Sequence, residues 1–96
     1  QAGAAKAWGQ WNAAGTIAVS YNLTSVTDTG TGNHTVNVDT DFSGASWAAF
    51  VLLDGQLISR PGTKAAGTLQ ILSENPDSPF AAADASAWNF AGFGDQ

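Results

Sequence analysis

Apolar and polar residues alternate along much of the chain, a pattern that predicts β-strands with one buried and one wet face. Residues 34–40 follow this period of two, with Val36 and Val38 on the apolar side. Residues 16–26 follow it as well, and the Thr and Val residues of both runs favour extended backbone. The apolar side of the earlier run is predicted to consist of Ile17, Val19, Tyr21 and Leu23.

The two runs are separated by a turn segment, residues 28–33, with the sequence Asp-Thr-Gly-Thr-Gly-Asn. Glycine adopts positive φ without a steric penalty, and Asp and Asn side chains cap tight turns. The segment therefore predicts that the two runs form a long β-hairpin. We expect positive φ at Gly30 or Gly32, because tight hairpin turns require it.

Turn signals divide the remainder of the chain into further short segments. Residues 46–53 are apolar on both faces, which is typical of a central strand or of a strand covered by a partner. Residues 1–15 hold Trp8 and Trp11 and are interpreted as a lead-in segment without a strand partner. Further strands are predicted at residues 57–60, which would pair back across the Asp54-Gly55 turn, at 67–73, with Leu69 and Ile71 inward, and at 86–93. A loop is predicted at 61–64 and a proline-containing break at 74–80.

These elements together predict the fold class. No segment has the apolar spacing of a long helix, whereas short strands separated by turns are typical of antiparallel sandwiches. A length of 96 residues suits one domain. We therefore expect residues 1–96 to form a single all-β domain with the architecture of an antiparallel β-sandwich.

Composition excludes several classes of function. The net charge is −5 and only three residues are Lys or Arg, so nucleic-acid binding is not expected, because phosphate contacts need clustered cations. The absence of cysteine excludes disulfides, zinc-thiolate sites and cysteine nucleophiles. No apolar run is long enough to span a bilayer, so membrane insertion is not expected. The chain lacks methionine and begins at Gln1, so we expect a processed protein or a fragment.

Asp28-Thr29-Gly30 also matches the tripeptide that opens the active site of aspartic proteases, and a retroviral-type dimeric protease subunit has about this length. Such a site brings two aspartates of a dimer close enough to share a proton. Here the preceding pair Val26-Thr27 is only half apolar, and Ala91-Gly92-Phe93-Gly94 matches the late bracing element poorly. The turn interpretation is preferred, and neither catalytic residues nor enzyme activity are expected.

Other polar and aromatic residues have both a structural and a functional interpretation. His34 is the only histidine, and a surface position at a strand end is preferred to a catalytic role. Asp39 and Asp41 could ligate a hard cation, but two carboxylates are too few and turn chemistry explains them. We therefore expect no metal and no cofactor. Four tryptophans are predicted to fill the core and a subunit interface rather than to form a sugar-stacking platform: Trp8, Trp11, Trp47 and Trp88.

The order of several motifs resembles a domain found in tail-fibre and other virion-appendage proteins of bacteriophages. That family opens with a Lys-Ala-Trp lead-in and a Gly-Thr pair, and it continues into a Val-Thr-Asp-x-Gly-Thr-Gly-x-x-Thr-Val-Asn hairpin. An aromatic strand follows, and the domain closes with an apolar strand that ends in Phe-Gly. The matching segments span nearly the whole chain: Lys6-Ala7-Trp8, Gly15-Thr16, residues 22–32, residues 35–38, residues 46–50 and Phe93-Gly94-Asp95.

The chain departs from this family in two places. Gly9-Gln10-Trp11 stands where the family usually has a β-branched residue, Asn and Phe. Residues 56–79 match no pattern of the family, and we expect their loops to face outward and to carry any specificity, because recognition residues usually lie on scaffold-borne loops.

The resemblance implies a β-sandwich that works as a homotrimer and as a structural component of a virion appendage, either a tail fibre or a head fibre. It implies a location on the surface of the extracellular virion, in contact with other virion proteins. A contribution to host-surface attachment, with a host-surface glycan as ligand, is an additional hypothesis. From the residues themselves, the doubly apolar strand 46–53 predicts a covered face, and the lead-in from Trp8 to Trp11 is expected near the subunit contact.

Two alternatives from other classes remain. A stand-alone carbohydrate-binding module requires exposed aromatic side chains on one face of the domain. A dimeric aspartic protease requires Asp28 to face the same residue of its symmetry mate.

Overall fold

The computed structural model describes residues 4–76 and 81–96 of the chain. Within these residues the backbone forms eight strands and no helix. The strands are β1 (Ala7–Asn12), β2 (Ile17–Tyr21), β3 (Leu23–Gly30), β4 (Asn33–Val38), β5 (Ala48–Leu53), β6 (Ile58–Lys64), β7 (Thr68–Glu74) and β8 (Ala87–Phe93).

The strands belong to two four-stranded sheets. Sheet A has the order β2-β1-β8-β5, and sheet B has the order β3-β4-β7-β6. Every pair of neighbouring strands is antiparallel. The predicted all-β class is confirmed, and the two antiparallel sheets agree with a β-sandwich.

The core lies between the sheets, since the central strands alternate buried and more exposed positions. Sheet A contributes Trp11, Trp88 and Phe90, and each is at most 4% exposed. Trp11 and Trp88 stack with their ring centroids 6.3 Å apart. Full burial of a large apolar side chain stabilises the fold by about 1.5–3 kcal/mol. The inward positions predicted for sheet B are confirmed at Val36, Val38, Leu69 and Ile71.

Strands β3 and β4 form the predicted hairpin, although its first strand is shorter than expected. The φ angle is 65° at Gly32 and 156° at Gly30, so the predicted positive φ in the turn is confirmed. The Gly32 N–H donates to Asp84 Oδ1 at 2.6 Å, and the Gly32 carbonyl accepts from the Ser73 N–H at 2.8 Å. These bonds anchor the turn to β7 and to the segment before β8.

The single strand predicted at residues 16–26 is wrong, because the chain changes sheet at Asn22. This residue has a φ of 59°, a conformation that Asn tolerates better than most residues. Its side-chain amide donates to the Lys6 carbonyl at 3.0 Å, and its side-chain oxygen accepts from the Thr40 N–H at 2.7 Å. These contacts hold the crossing from β2 in sheet A to β3 in sheet B.

The prediction that residues 1–15 lack a strand partner is also wrong. Strand β1 pairs with β2 on one side and with β8 on the other, so it is a central strand of sheet A. Its inward positions are Ala7, Gly9 and Trp11, and the two small residues conceal the alternation from the sequence. Packing explains why glycine occupies position 9, because a Cβ there would lie 2.6 Å from Leu23 Cδ1.

Within residues 56–79, the strands predicted at 57–60 and 67–73 are confirmed as parts of β6 and β7, so the loops expected in this segment are shorter than predicted. The predicted loop at 61–64 belongs to β6, with a pairing irregularity between Pro61 and Lys64 that accommodates the proline. Strand β6 pairs with β7 and lies in a different sheet from β5, so it does not pair back across Asp54-Gly55. The outward-facing loop that was expected to include residues 77–79 lies there outside the described residues.

Candidate functional site

The two sheets differ sharply in charge. Strands β1, β2, β5 and β8 of sheet A contain no Asp, Glu, Lys, Arg or His. The strands of sheet B contain five such residues: Asp28, His34, Arg60, Lys64 and Glu74. Most β-sheets exposed to water carry polar side chains on the outer face, so the uncharged sheet is the unusual surface of this molecule.

The outer surface of sheet A is apolar as well as uncharged. Six large hydrophobic residues in the described part of the chain are exposed, and only Ile58 of these lies in sheet B. We call the other five the apolar face: Trp8 (39% exposed), Val19 (50%), Tyr21 (56%), Phe50 (64%) and Leu52 (75%).

The strand register arranges the apolar face in rows that cross the whole sheet. One row runs from Tyr21 through Trp8 and Ala91 to Phe50. The next row runs from Val19 through Gln10 and Asn89 to Leu52. The first row is apolar from one edge of sheet A to the other, whereas the polar residues Gln10 and Asn89 separate Val19 from Leu52 in the second row.

Aromatic contacts hold the apolar face in place. The rings of Trp8 and Tyr21 lie 21° from parallel with their centroids 6.3 Å apart. Phe50 contacts Phe93 edge to face at 5.8 Å. Since large apolar side chains each present about 150–250 Å², the exposed fractions correspond to a patch on the order of 500 Å². A patch of that size is at the upper end for a monomer and commonly marks an interaction site.

Sequence reasoning found part of this surface. The doubly apolar segment 46–53 correctly predicted Phe50 and Leu52 on a second apolar face, but β5 is an edge strand and not a central one. Val19 and Tyr21 were predicted to face inward and point outward instead. The cause is the irregular pairing between Gln10 and Trp11, which reverses the alternation in β2 after Ile17.

The tryptophans divide three to one between core and surface. Trp11, Trp47 and Trp88 are at most 3% exposed, which agrees with the core role and excludes a platform built from all four. Trp47 stacks on Phe42 at 4.3 Å, and its Nε1 donates to the Ala65 carbonyl at 2.8 Å. Trp11 is buried in the core and only Trp8 of the lead-in tryptophans reaches the surface, so a subunit contact close to this lead-in stays a prediction.

Asp28 lies near the end of β3, and its side chain is 38% exposed. Its Oδ1 accepts from the Gly30 N–H at 3.2 Å, a bond from residue i to residue i+2 that is typical of an Asx turn. The same oxygen lies 3.5 Å from His34 Nε2. These contacts assign a structural task to the carboxylate in the hairpin, and its lack of a catalytic task stays a prediction.

The Asp28→Asn variant is expected to keep its free energy of unfolding within about 0.5 kcal/mol of the parent, because the amide retains an oxygen for the Gly30 N–H. We also expect neither protein to cleave peptides. The measurements are thermal melts and an assay with unfolded protein substrates. Pepstatin-sensitive cleavage by the parent that is lost in the variant would restore the protease alternative.

The predicted surface position of His34 is wrong, since the residue is 0% exposed. Its Nδ1 accepts from Trp11 Nε1 at 2.9 Å, so its proton lies on Nε2, which faces the Ala13 carbonyl at 3.0 Å. Its ring stacks on Trp88 with centroids 4.1 Å apart. The imidazole therefore connects β4 of sheet B to the core of sheet A.

The remaining charged side chains described here pair with nearby residues of the fold. No group of three or more His, Cys, Asp or Glu residues that could hold a metal occurs in the described ranges. Asp39 accepts from Thr24 Oγ1 at 3.3 Å, next to the turn where it was expected. Exposed Arg60 donates to Glu74 at 2.9 Å, and this hydrogen bond raises the pKa of the guanidinium further.

A groove of about 330 Å³ lies between the free edges of β5 and β6. Val51, Pro61, Lys64 and Leu69 are among the residues that line it. Lys64 Nζ donates to the Trp47 carbonyl and lies 5.2 Å from the centre of the Trp47 ring. The ammonium group thus ties sheet B to the core at this side of the sandwich, while the groove itself holds no convergent set of polar groups.

No family model, curated protein or solved structure matches the chain. Residues 4–76 and 81–96 contain no helix that is long and apolar enough to cross a membrane. The apolar face of sheet A is therefore the candidate functional site that the structure itself provides.

Proposed function

We propose that the chain is a non-enzymatic structural module of a bacteriophage virion appendage, either a tail fibre or a head fibre, and that it works as a homotrimer. Two independent observations support this proposal. The motif order resembles virion-appendage domains, and the apolar face provides a surface suited to assembly. The second observation carries most weight, because it depends on the geometry of this chain alone.

Assembly of identical copies suits the charge distribution of the molecule. Each copy has a net charge of −5, so most surfaces of two copies repel each other. The strands of sheet A bear no charge, and contact through them leaves the charged strands of sheet B in water. Three-fold closure covers the apolar face of every copy without leaving an open surface for further growth.

In this arrangement sheet B faces outward, where it can contact other virion proteins or the host surface. Attachment to a host-surface glycan is an additional part of the same proposal. The location that follows is the surface of the virion.

Light scattering on the purified chain is expected to report a trimer, and the Leu52→Lys variant is expected to be a monomer. Leu52 is the most exposed residue of the apolar face, and a buried lysine there would lack a partner of opposite charge. Thr27→Lys is the matched control, because it adds the same charge to an exposed position of sheet B. The control is expected to remain a trimer.

Other oligomeric states have separate meanings. A monomeric parent at tens of micromolar (an arbitrary concentration) would contradict the trimer, and a dimer would make the protease alternative the first to test.

The stacked Trp8–Tyr21 pair favours one further candidate, a carbohydrate-binding module. A monomeric parent that binds a glycan array, and loses binding in Trp8→Ala, would replace assembly with sugar recognition.

A further inference from the structure

We infer that copies of the chain join edge to edge, with β5 of one copy pairing antiparallel to β2 of the next, so that three A sheets form one closed surface around the apolar faces. The inference rests on the proposed homotrimer and specifies its interface. Three features of the structure support it: the unprotected edges of sheet A, the protected edges of sheet B and the directions of the edge strands.

The edges of sheet B carry features that discourage pairing with another chain. Strand β6 contains Arg60, Pro61 and Lys64, and its pairing with β7 is irregular. Strand β3 contains Asp28 and has two irregularities in its pairing with β4. Charged residues, proline and bulges are the devices by which natural proteins protect sheet edges.

The edges of sheet A largely lack these devices. Strand β5 has the sequence AAFVLL and β2 the sequence IAVSY, without charge, proline or glycine. The one irregularity lies at the start of β2, and the pairing of Val19 to Tyr21 with β1 is regular. An apolar edge strand of this kind is a template for pairing with another strand. Both unprotected edges belong to the sheet that also carries the apolar face.

The directions of the edge strands fit a three-fold axis. Sheet A has four strands in an antiparallel order, so β2 and β5 run in opposite directions. A rotation about an axis parallel to the strands preserves the direction of each strand. Strand β5 of one copy therefore meets β2 of the next in the antiparallel orientation, which continues the pattern within the sheet and is slightly the more stable kind of pairing.

Disulfide trapping tests this interface, since the native chain has no cysteine. Val19 and Leu52 lie in one row of the face, and the rotation keeps Val19 of one copy level with Leu52 of the next. Two strands separate these residues within a copy, about 14 Å in all, so a disulfide can form only between copies. The double variant is Val19→Cys with Leu52→Cys, and variants with Ala48→Cys or Phe50→Cys in place of Leu52→Cys cover shifted registers.

Under mild oxidation at least one double variant is expected to yield linked dimers and trimers on a denaturing gel, with no larger species. Each single-cysteine variant is expected to remain unlinked. Light scattering on the reduced proteins reports the oligomeric state separately. A reduced trimer with no linked species in any double variant would overturn the edge pairing and leave the trimer intact.

Two further outcomes would also overturn the inference. Linked dimers from the Leu52→Cys variant alone would place β5 against β5 about a two-fold axis. A parent chain that is monomeric in light scattering would contradict the homotrimer and the edge pairing that rests on it.

Discussion

Replacement of Gly32 by alanine is expected to lower the free energy of unfolding by about 3 kcal/mol. The residue has a φ of 65°, where a Cβ destabilises the backbone by roughly 1–2 kcal/mol. The new Cβ would also lie 2.8 Å from the Ala83 nitrogen, so the backbone of the segment before β8 must shift. That shift weakens the bonds of Gly32 to Asp84 and Ser73, which anchor the hairpin turn.

Thermal melts at equal protein concentration measure this effect. A loss of 3 kcal/mol corresponds to a fall in Tm of more than about 10 °C for a domain of this length. Gly44→Ala is the matched control, because a Cβ at Gly44 has no heavy atom within 4 Å. Equal melting temperatures for the two variants would contradict the assignment of Gly32 as the anchored residue of the turn.

The His34→Leu variant is expected to lose about 3 kcal/mol of stability for a different reason, the removal of a buried polar connection between the sheets. Leucine leaves Trp11 Nε1–H without its acceptor, and an unsatisfied buried donor is destabilising by about 1–3 kcal/mol. The variant also loses the stack on Trp88, which lies 4.1 Å away between ring centroids. Urea denaturation at neutral pH measures the change.

A double-mutant cycle separates the hydrogen bond from the loss of packing. Trp11→Phe removes the donor and keeps an aromatic ring in the core. In that background His34→Leu is expected to be less destabilising by about 1 kcal/mol, because no donor remains to be left unsatisfied. Strictly additive effects would mean that the Trp11–His34 bond contributes nothing measurable to stability.

Local chemistry in the sequence was enough to place several elements. The period of two located β4, β7 and β8, since each has one face against the core. The glycines at positions 30 and 32 located the hairpin turn, because few other residues tolerate positive φ. Strand β5 was predicted from an apolar run in which the outward-facing residues are apolar as well as the inward-facing ones. Apolar residues on an outer face are also the sequence signal of the candidate site.

Other features depend on neighbours that are distant in the sequence. Strand β1 was not predicted because its inward residues Ala7 and Gly9 are small and do not stand out as apolar positions in the sequence. The small size of Gly9 is explained by the close approach of Leu23, which lies in another strand. His34 was placed at the surface because of its polarity, yet Trp11 and the Ala13 carbonyl satisfy both ring nitrogens inside the protein. Burial of a polar side chain is decided by its hydrogen-bond partners, and these come from other strands.

Local patterns along the chain predict antiparallel strands, the position of the hairpin turn, and one strand with more apolar surface than a simple sandwich can cover. The sheet that each strand joins depends instead on contacts between residues that are distant in the sequence. The crossing at Asn22 and the irregular pairing beside Trp11 turn Val19 and Tyr21 outward, onto the same face as Phe50 and Leu52. The physical reason is that alternation fixes which residues share a face within a strand, whereas pairing between strands decides whether that face meets the core or water.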